Sequence, residues 1–455
     1  MPIFSFSLLF FYCRCANIPL GDEMDEKLLK RSRLYYIVEA ALEYFISILV
    51  AGTFLATLTN DLGFDTATTG VISSIISLGC VFQLIAMFVF RGRVKTPVII
   101  LSIFNQLLFT VLYVIPLLGG DEALKQTLFV IAIFVAYLVY NIAHPAKIDW
   151  LMSLVDDTKR GRFTATKEIV SLIGGTAFTF AMGFVIDYFE AKNDLKSAFI
   201  VIAIGMGVLT LMHTLTMLFT VEKPKDTEQK QGFKDTMRVL SDKNVIKVTL
   251  TFTLWYIANS FTTPFYGAYQ RDVDGLNFPM WFISILAAVY AVARSAFSYV
   301  WGAYADKYSF TNMIRICFGV AGVGFLFNVF CVPSNGWVIY TIYYIFNAIA
   351  MAGINSALIN LCFDYVSEEK RRSALAVSQA IAGLVGFITT MAVSPLVSYI
   401  ESSGNMLFGI HMYPTQLTSL VSALLTVVCI IYVSIFMVRK RVNNTEMQTQ
   451  GEENQ

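Results

Sequence analysis

The chain has 455 residues, 56% of them hydrophobic and 14% charged, with a formal net charge of +1. A soluble protein carries about 25% charged residues, so this composition excludes a water-facing globular surface and predicts one that faces lipid. The near-zero net charge excludes a global field toward nucleic acid.

Residues 1–33 are read as an N-terminal tail. Met1 to Phe11 is apolar but too short to span, and no basic residue precedes it, unlike a secretory signal. Met24 opens Met-Asp-Glu-Lys, a more natural start, so residues 1–23 are expected to be disordered or to lie upstream of the true start. Six apolar runs follow, over roughly 35–58, 66–90, 95–118, 126–152, 163–189 and 197–221. A polar stretch, 222–243, reads as a linker, and six more runs cover roughly 244–270, 279–304, 312–332, 337–363, 374–400 and 414–438. The two sets define units 34–221 and 244–441, and 442–455 is a polar tail. The expected fold is all-α, with 12 transmembrane helices in two pseudo-symmetric six-helix bundles.

Basic residues cluster on alternate connections: Lys27, Lys30, Arg31 and Arg33; Arg91, Arg93 and Lys95; Lys159, Arg160, Arg162 and Lys167; the linker lysines; Lys307 and Arg315; Lys370, Arg371 and Arg372; Arg439, Lys440 and Arg441. The intervening connections hold Lys125, Lys192, Lys196 and Arg271, together with the acids Asp61, Asp65, Asp121, Glu122, Glu190, Asp194, Asp272, Asp274 and Glu401. By the positive-inside bias both termini are expected in the cytoplasm. A repeat supports the two units: Asp156–Asp194 aligns without gaps on Ser367–Asn405, pairing Lys159 with Lys370, Arg160 with Arg371, Gly175 with Gly386 and Thr179 with Thr390. Tyr36-Ile37 and Phe45 also match Tyr256-Ile257 and Phe265.

Three loops carry a family resemblance. Gly302-Ala303-Tyr304-Ala305-Asp306-Lys307 resembles the G-x-x-x-D-[R/K] signature of the major facilitator superfamily. The first-half copy, near Phe90–Thr96, keeps Arg91 and Arg93 but lacks the acid. Asp157-Thr158-Lys159-Arg160-Gly161-Arg162 resembles the R-G-R loop of that family, with Lys370-Arg371-Arg372 as its degenerate twin. The resemblance covers about Leu34 to Arg441 and implies two bundles rocking about a midplane site, driven by an ion gradient. It also implies a cytoplasmic gate of Asp306, Lys307, Arg160, Arg162, Arg91 and Arg93; the alternative is that these residues only obey the positive-inside bias. The fifth span has Gly174, Gly175 and Gly183 but no proline between Arg162 and Tyr188. The Gly-Pro-x-x-Gly-Gly run of drug–proton antiporters is therefore absent.

An ionisable side chain within a span costs about 2.5–3.5 kcal/mol on the insertion scale and marks a functional candidate. Glu39 and Glu43 lie one turn apart on the first span, Lys147 and Asp149 on the fourth, and Arg294 near the middle of the eighth. Three acids against two bases leave one carboxylate without a partner, and such a group tends to hold a proton. Glu43 is read as the proton carrier, with Glu39 paired to Lys147 or Arg294; the alternative is a static ion network. Asn141, His144, Trp255, Asn259, Tyr266, Asn347 and Asn355, on spans that line the central cavity in the family, are read with Gln379 of the eleventh span as the substrate-binding set. Amides and aromatic faces suit a neutral polar solute such as a sugar, while the charges equally suit an amino acid or organic ion. Pro145 is expected to bend the fourth span beside His144.

No Gly-x-Ser-x-Gly, His-Glu-x-x-His, P-loop or dinucleotide fingerprint occurs in a plausible context, so no enzyme is expected, and no metal or cofactor. The expected function is secondary transport of a small organic solute across a bacterial cytoplasmic membrane, proton-coupled, by a monomer. An exporter of the same fold is the alternative, and a channel or receptor a minor one.

Overall fold

In lipid every backbone N–H and C=O must be satisfied within its own segment, which leaves helix as the conformation for these apolar runs. A computed structural model describes residues 26–90, 93–155, 160–223, 237–407 and 409–437, without the side chains of 86–89, 160–162, 165, 306, 368, 369 and 372.

The first half comprises α1 (Glu26–Leu49), α2 (Gly52–Asp61), α3 (Thr66–Val89), α4 (Lys95–Val114), α5 (Glu122–Met152), α6 (Arg160–Glu190) and α7 (Leu195–Phe219). The second comprises α8 (Lys243–Ser260), α9 (Thr263–Arg271), α10 (Met280–Lys307), α11 (Phe310–Val329), α12 (Gly336–Tyr365), α13 (Glu368–Ser402) and α14 (Pro414–Phe436). A small antiparallel ribbon, β1 (Met406–Leu407) with β2 (Ile410–His411), joins α13 to α14. Among the described residues, eleven stretches are long and apolar enough to cross a membrane, with α1 and α2 counted as one. The pair α8 and α9 completes the set.

Packing repeats from one half to the other. In the first, α1 packs on α6 and α7, α5 on α3 and α4, and α4 on α7. In the second, α8 packs on α13 and α14, α12 on α10 and α11, and α11 on α14. Position for position these are the same contacts. The faces between the bundles repeat too: α3 lies on α13 and α6 on α10, while α2 crosses α9. Two six-helix bundles are therefore related by an approximate twofold, and the chain is an all-α multi-pass membrane protein.

The first helix of each half is interrupted. The first breaks at Val50-Ala51, where Gly52 takes φ +53°, and the seventh breaks at Phe261-Thr262. These breaks are spaced by the same sequence offset as the fifth-span repeat. The match of Tyr36-Ile37 and Phe45 to Tyr256-Ile257 and Phe265 runs at a different offset and is not the structural register. One boundary also moves: α1 begins at Glu26, inside the expected tail; Pro145 lies within α5.

We call the two ends of the bundles acidic and basic, after their connections. Contacts that join the bundles gather at the acidic end. The carboxylate of Glu190 accepts two hydrogen bonds from Arg271 at 2.7 and 2.8 Å. Asp187 accepts the backbone N–H groups of Met280 and Trp281 at 2.9 and 2.8 Å, capping α10 from the opposite bundle. Gly267 packs on the backbone of Gly52, so a Cβ there would meet Gly52 O at 2.8 Å. Ala67, Phe265, Val393 and Val397 fill the space beside that crossing. At the basic end the described ties stay within a bundle. Glu222 accepts from the backbone of Val94 and Lys95 at 2.6 and 3.2 Å, and Lys370 pairs with Asp242 at 3.0 Å. Of the expected linker, residues 224–236 lie outside the described residues, as do 438–455 of the C-terminal end.

Candidate functional site

Four ionisable side chains meet inside the first bundle. Glu39 and Glu43 project from one face of α1, as their spacing requires. Lys147 of α5 reaches both carboxylates; its Nζ is 2.9 Å from Glu39 Oε1 and it also contacts Glu43 Oε1. From the other side His213 of α7 places Nε2 at 2.9 Å from the same Glu39 oxygen. Glu39, Lys147 and His213 are 1%, 2% and 0% exposed, whereas the Glu43 side chain is 22% exposed. Because an ionised carboxylate only accepts, His213 donates from Nε2, and its Nδ1 is left buried without a partner. Glu39 is thus held by two donors and Glu43 by one, and the second carboxylate has the more open surroundings.

A small cavity adjoins this cluster, lined by Glu43, Ser102, Asn105, Gln106, Tyr140, His144 and Lys147. His144 lies against the Tyr140 ring, centroids 5.0 Å apart, with Nδ1 buried and unpartnered. The cavity therefore groups polar side chains, His144 among them, beside Glu43.

The other expected site residues fall in different places. Arg294 does not join the cluster. It stands half-buried on α10 in the second bundle, one turn beyond Tyr290 and in electrostatic range of Tyr44 of α1. Glu39 pairs with Lys147, not with Arg294, because both acids and the lysine belong to one bundle. Asp149 is half-buried and is not among the four residues in contact.

Of the expected substrate set, Asn141 is buried between α3 and α5, accepting from Gln83 Nε2 at 2.9 Å and donating to Tyr137 O at 2.8 Å. Trp255 stacks on Phe318 within the second bundle, centroids 5.4 Å apart. Tyr266 is likewise interior, bonded to Ser419 Oγ at 2.9 Å and Asn328 Nδ2 at 3.0 Å. These three are packed inside a bundle. Asn259, Asn347 and Gln379 are half-buried, and Asn355 is exposed. Of the expected gate, Lys307 is exposed beside the Tyr308 ring, and Arg93 is exposed. Arg91 and the side chains of Arg160, Arg162 and Asp306 lie outside the described residues.

His213 is the functional candidate that the sequence reading passed over. It is one of three histidines and sits within an apolar span, so the rule that flags intramembrane ionisable groups would have found it. Tyr44, Tyr290 and Tyr344 had no such signal, being three among 22 tyrosines.

An acid pair shared by one lysine, inside one of two pseudo-equivalent bundles, is a carrier's architecture rather than an enzyme's. The family model of the Major Facilitator Superfamily matches residues 40–390 and 276–453. The chain belongs to that superfamily, and it is a transporter. No curated protein matches the sequence. Among solved structures, the nucleoside transporter NupG superposes with a TM-score of 0.64 at 15% identity, covering 92% of this chain and all of that one. A D-xylose–proton symporter gives 0.62 at 13%, covering 87% and 96%. A bacterial homologue of the human lysosomal transporter Spinster, inward-facing and unoccupied, gives 0.62 at 13%, covering 91% and 97%. Identities this low show the shared fold alone.

Proposed function

We propose that the protein is a proton-coupled secondary transporter of a small organic solute, working by alternating access in a bacterial cytoplasmic membrane as a monomer. The observation that carries the coupling is the cluster of two carboxylates and one lysine with His213. With the histidine neutral, the cluster holds one negative charge in excess. One added proton neutralises it, and the more open Glu43 is the group that takes it. Protonation weakens the hold of Lys147 on Glu43 and frees α1 to shift against α5. The basic end faces the cytoplasm by the positive-inside bias, so the seal formed by Arg271, Glu190, Asp187 and the Gly52–Gly267 crossing closes the outside. Asp306 and the basic loops at the other end are the counterpart seal. The alternative, an exporter, uses the same cluster with the opposite direction of coupling.

The experiment is solute-driven proton flux in liposomes loaded with a pH-sensitive dye, using a solute that stabilises the purified protein. Wild type should acidify or alkalinise the lumen as solute moves. Glu43→Gln should keep solute counterflow and lose the pH change. Should Glu43→Gln retain the pH change, the coupling assignment is wrong.

A further inference from the structure

We infer that Arg294 anchors an anionic group on the transported solute, so that the substrate is an organic anion or a zwitterion rather than a neutral polyol; this rests on the transporter reading above. Arg294 lies near the middle of its span, roughly 21 Å along the helix from Met280 and roughly 17 Å from Ala305. No carboxylate is within ion-pair range of it among the described residues. A guanidinium at that depth is costly and is held where a cavity or a partner compensates it. The protein's own acids do not supply that partner, since Glu39 and Glu43 are engaged by Lys147 and His213 in the other bundle.

The surroundings of Arg294 have the makings of a binding site. Tyr290 lies one turn before Arg294 on the same face of α10, and the planar guanidinium fork offers several N–H groups to a carboxylate or phosphate. The Tyr290 and Tyr344 rings lie 5.4 Å apart between α10 and α12. Tyr44 of α1 comes from the opposite bundle and is in electrostatic range of both Arg294 and Tyr344. Three phenols and one cation from three helices thus converge where the bundles face each other. They offer ring faces and hydroxyls to the body of a solute and a fork to its charged end. Tyr44 also follows Glu43 directly in sequence. A solute held between Arg294 and Tyr44 pulls on the helix that carries the proton site.

The test is thermal unfolding of the purified full-length protein with matched acid and neutral probes: benzoate and benzamide, glutarate and glutaramide, glucuronate and glucose. At least one acid should raise the melting temperature of wild type more than its neutral partner. Arg294→Gln should weaken that effect by at least about tenfold, and Arg294→Lys should retain part of it. The unliganded melting temperature of each variant reports its folding separately. Stabilisation by the neutral partners alone, acid stabilisation unchanged in Arg294→Gln, or no response to any acid would each overturn the proposal. None of these results touches proton coupling, which fails or stands on the Glu43→Gln flux assay.

Discussion

Lys147 is the side chain on which the interior of the first bundle depends. It is shared between two carboxylates that would otherwise repel each other in a low-dielectric interior, and offsets one of their two charges. Breaking a buried ion pair by deleting one partner costs about 3–5 kcal/mol, because the remaining charge is left uncompensated. Lys147→Met is therefore expected to lower the melting temperature sharply, and adding Glu39→Gln to it should recover much of the loss. A Lys147→Met protein as stable as wild type would show the pair to be incidental. For His213 the expectation is smaller. His213→Ala removes one of two donors to Glu39 and should cost about 1–3 kcal/mol, while His213→Gln, which keeps an N–H donor, should cost less. Denaturant or thermal unfolding of the two variants separates these outcomes. At this scale the sequence was legible where charge sat within an apolar run, which marked Glu39, Glu43, Lys147 and Arg294. It was not legible which charges meet. That depends on the rotation of each helix in its bundle, and Arg294 faces tyrosines instead of acids. Trp255 and Tyr266 show the same limit. The interruption at Phe261-Thr262 resets the helical phase, so spacing along the chain no longer tells which face either residue presents.

Among the elements, α2 and α9 cross at the acidic end with their backbones in close contact. Gly267 has no room for a side chain against Gly52, so Gly267→Leu should wedge the two helices apart. Spin labels at positions 192 and 273, one in each bundle, should then move apart in dipolar distance measurements. An unchanged distance distribution would mean that the crossing is not what holds this end closed. At the other end Asp242 caps α8 and pairs with Lys370. The Lys370 ammonium holds the Asp242 carboxyl below its ordinary range. A depressed folded value stabilises the folded state above the unfolded value, near 3.8, and that benefit fades as pH falls through the folded value. Both groups are partly exposed, so the pair is worth at most about 1 kcal/mol. Asp242→Asn should lower the melting temperature slightly at pH 7 and hardly at all well below the carboxyl's folded value. The order of these elements was readable from apolar runs and loop charge. The helix breaks were less legible: Gly52 hints at the first and Pro264, at the start of α9, at the second, but neither interrupts its apolar run.

For the whole molecule, the packing pattern repeats from one bundle to the other and the bundles join through α3–α13 and α6–α10, the arrangement on which the proposed rocking about a central site relies. Loop charge and the fifth-span repeat made that architecture legible from the chain alone, because the bilayer fixes span length and the positive-inside bias fixes alternation. The central claim is that Glu43 exchanges a proton as the bundles rock. The most direct measurement is the pH change inside dye-loaded proteoliposomes when a stabilising solute is added outside. The account predicts a pH change with wild type, and with Glu43→Gln solute counterflow but no pH change. Equal proton flux from both proteins would contradict it.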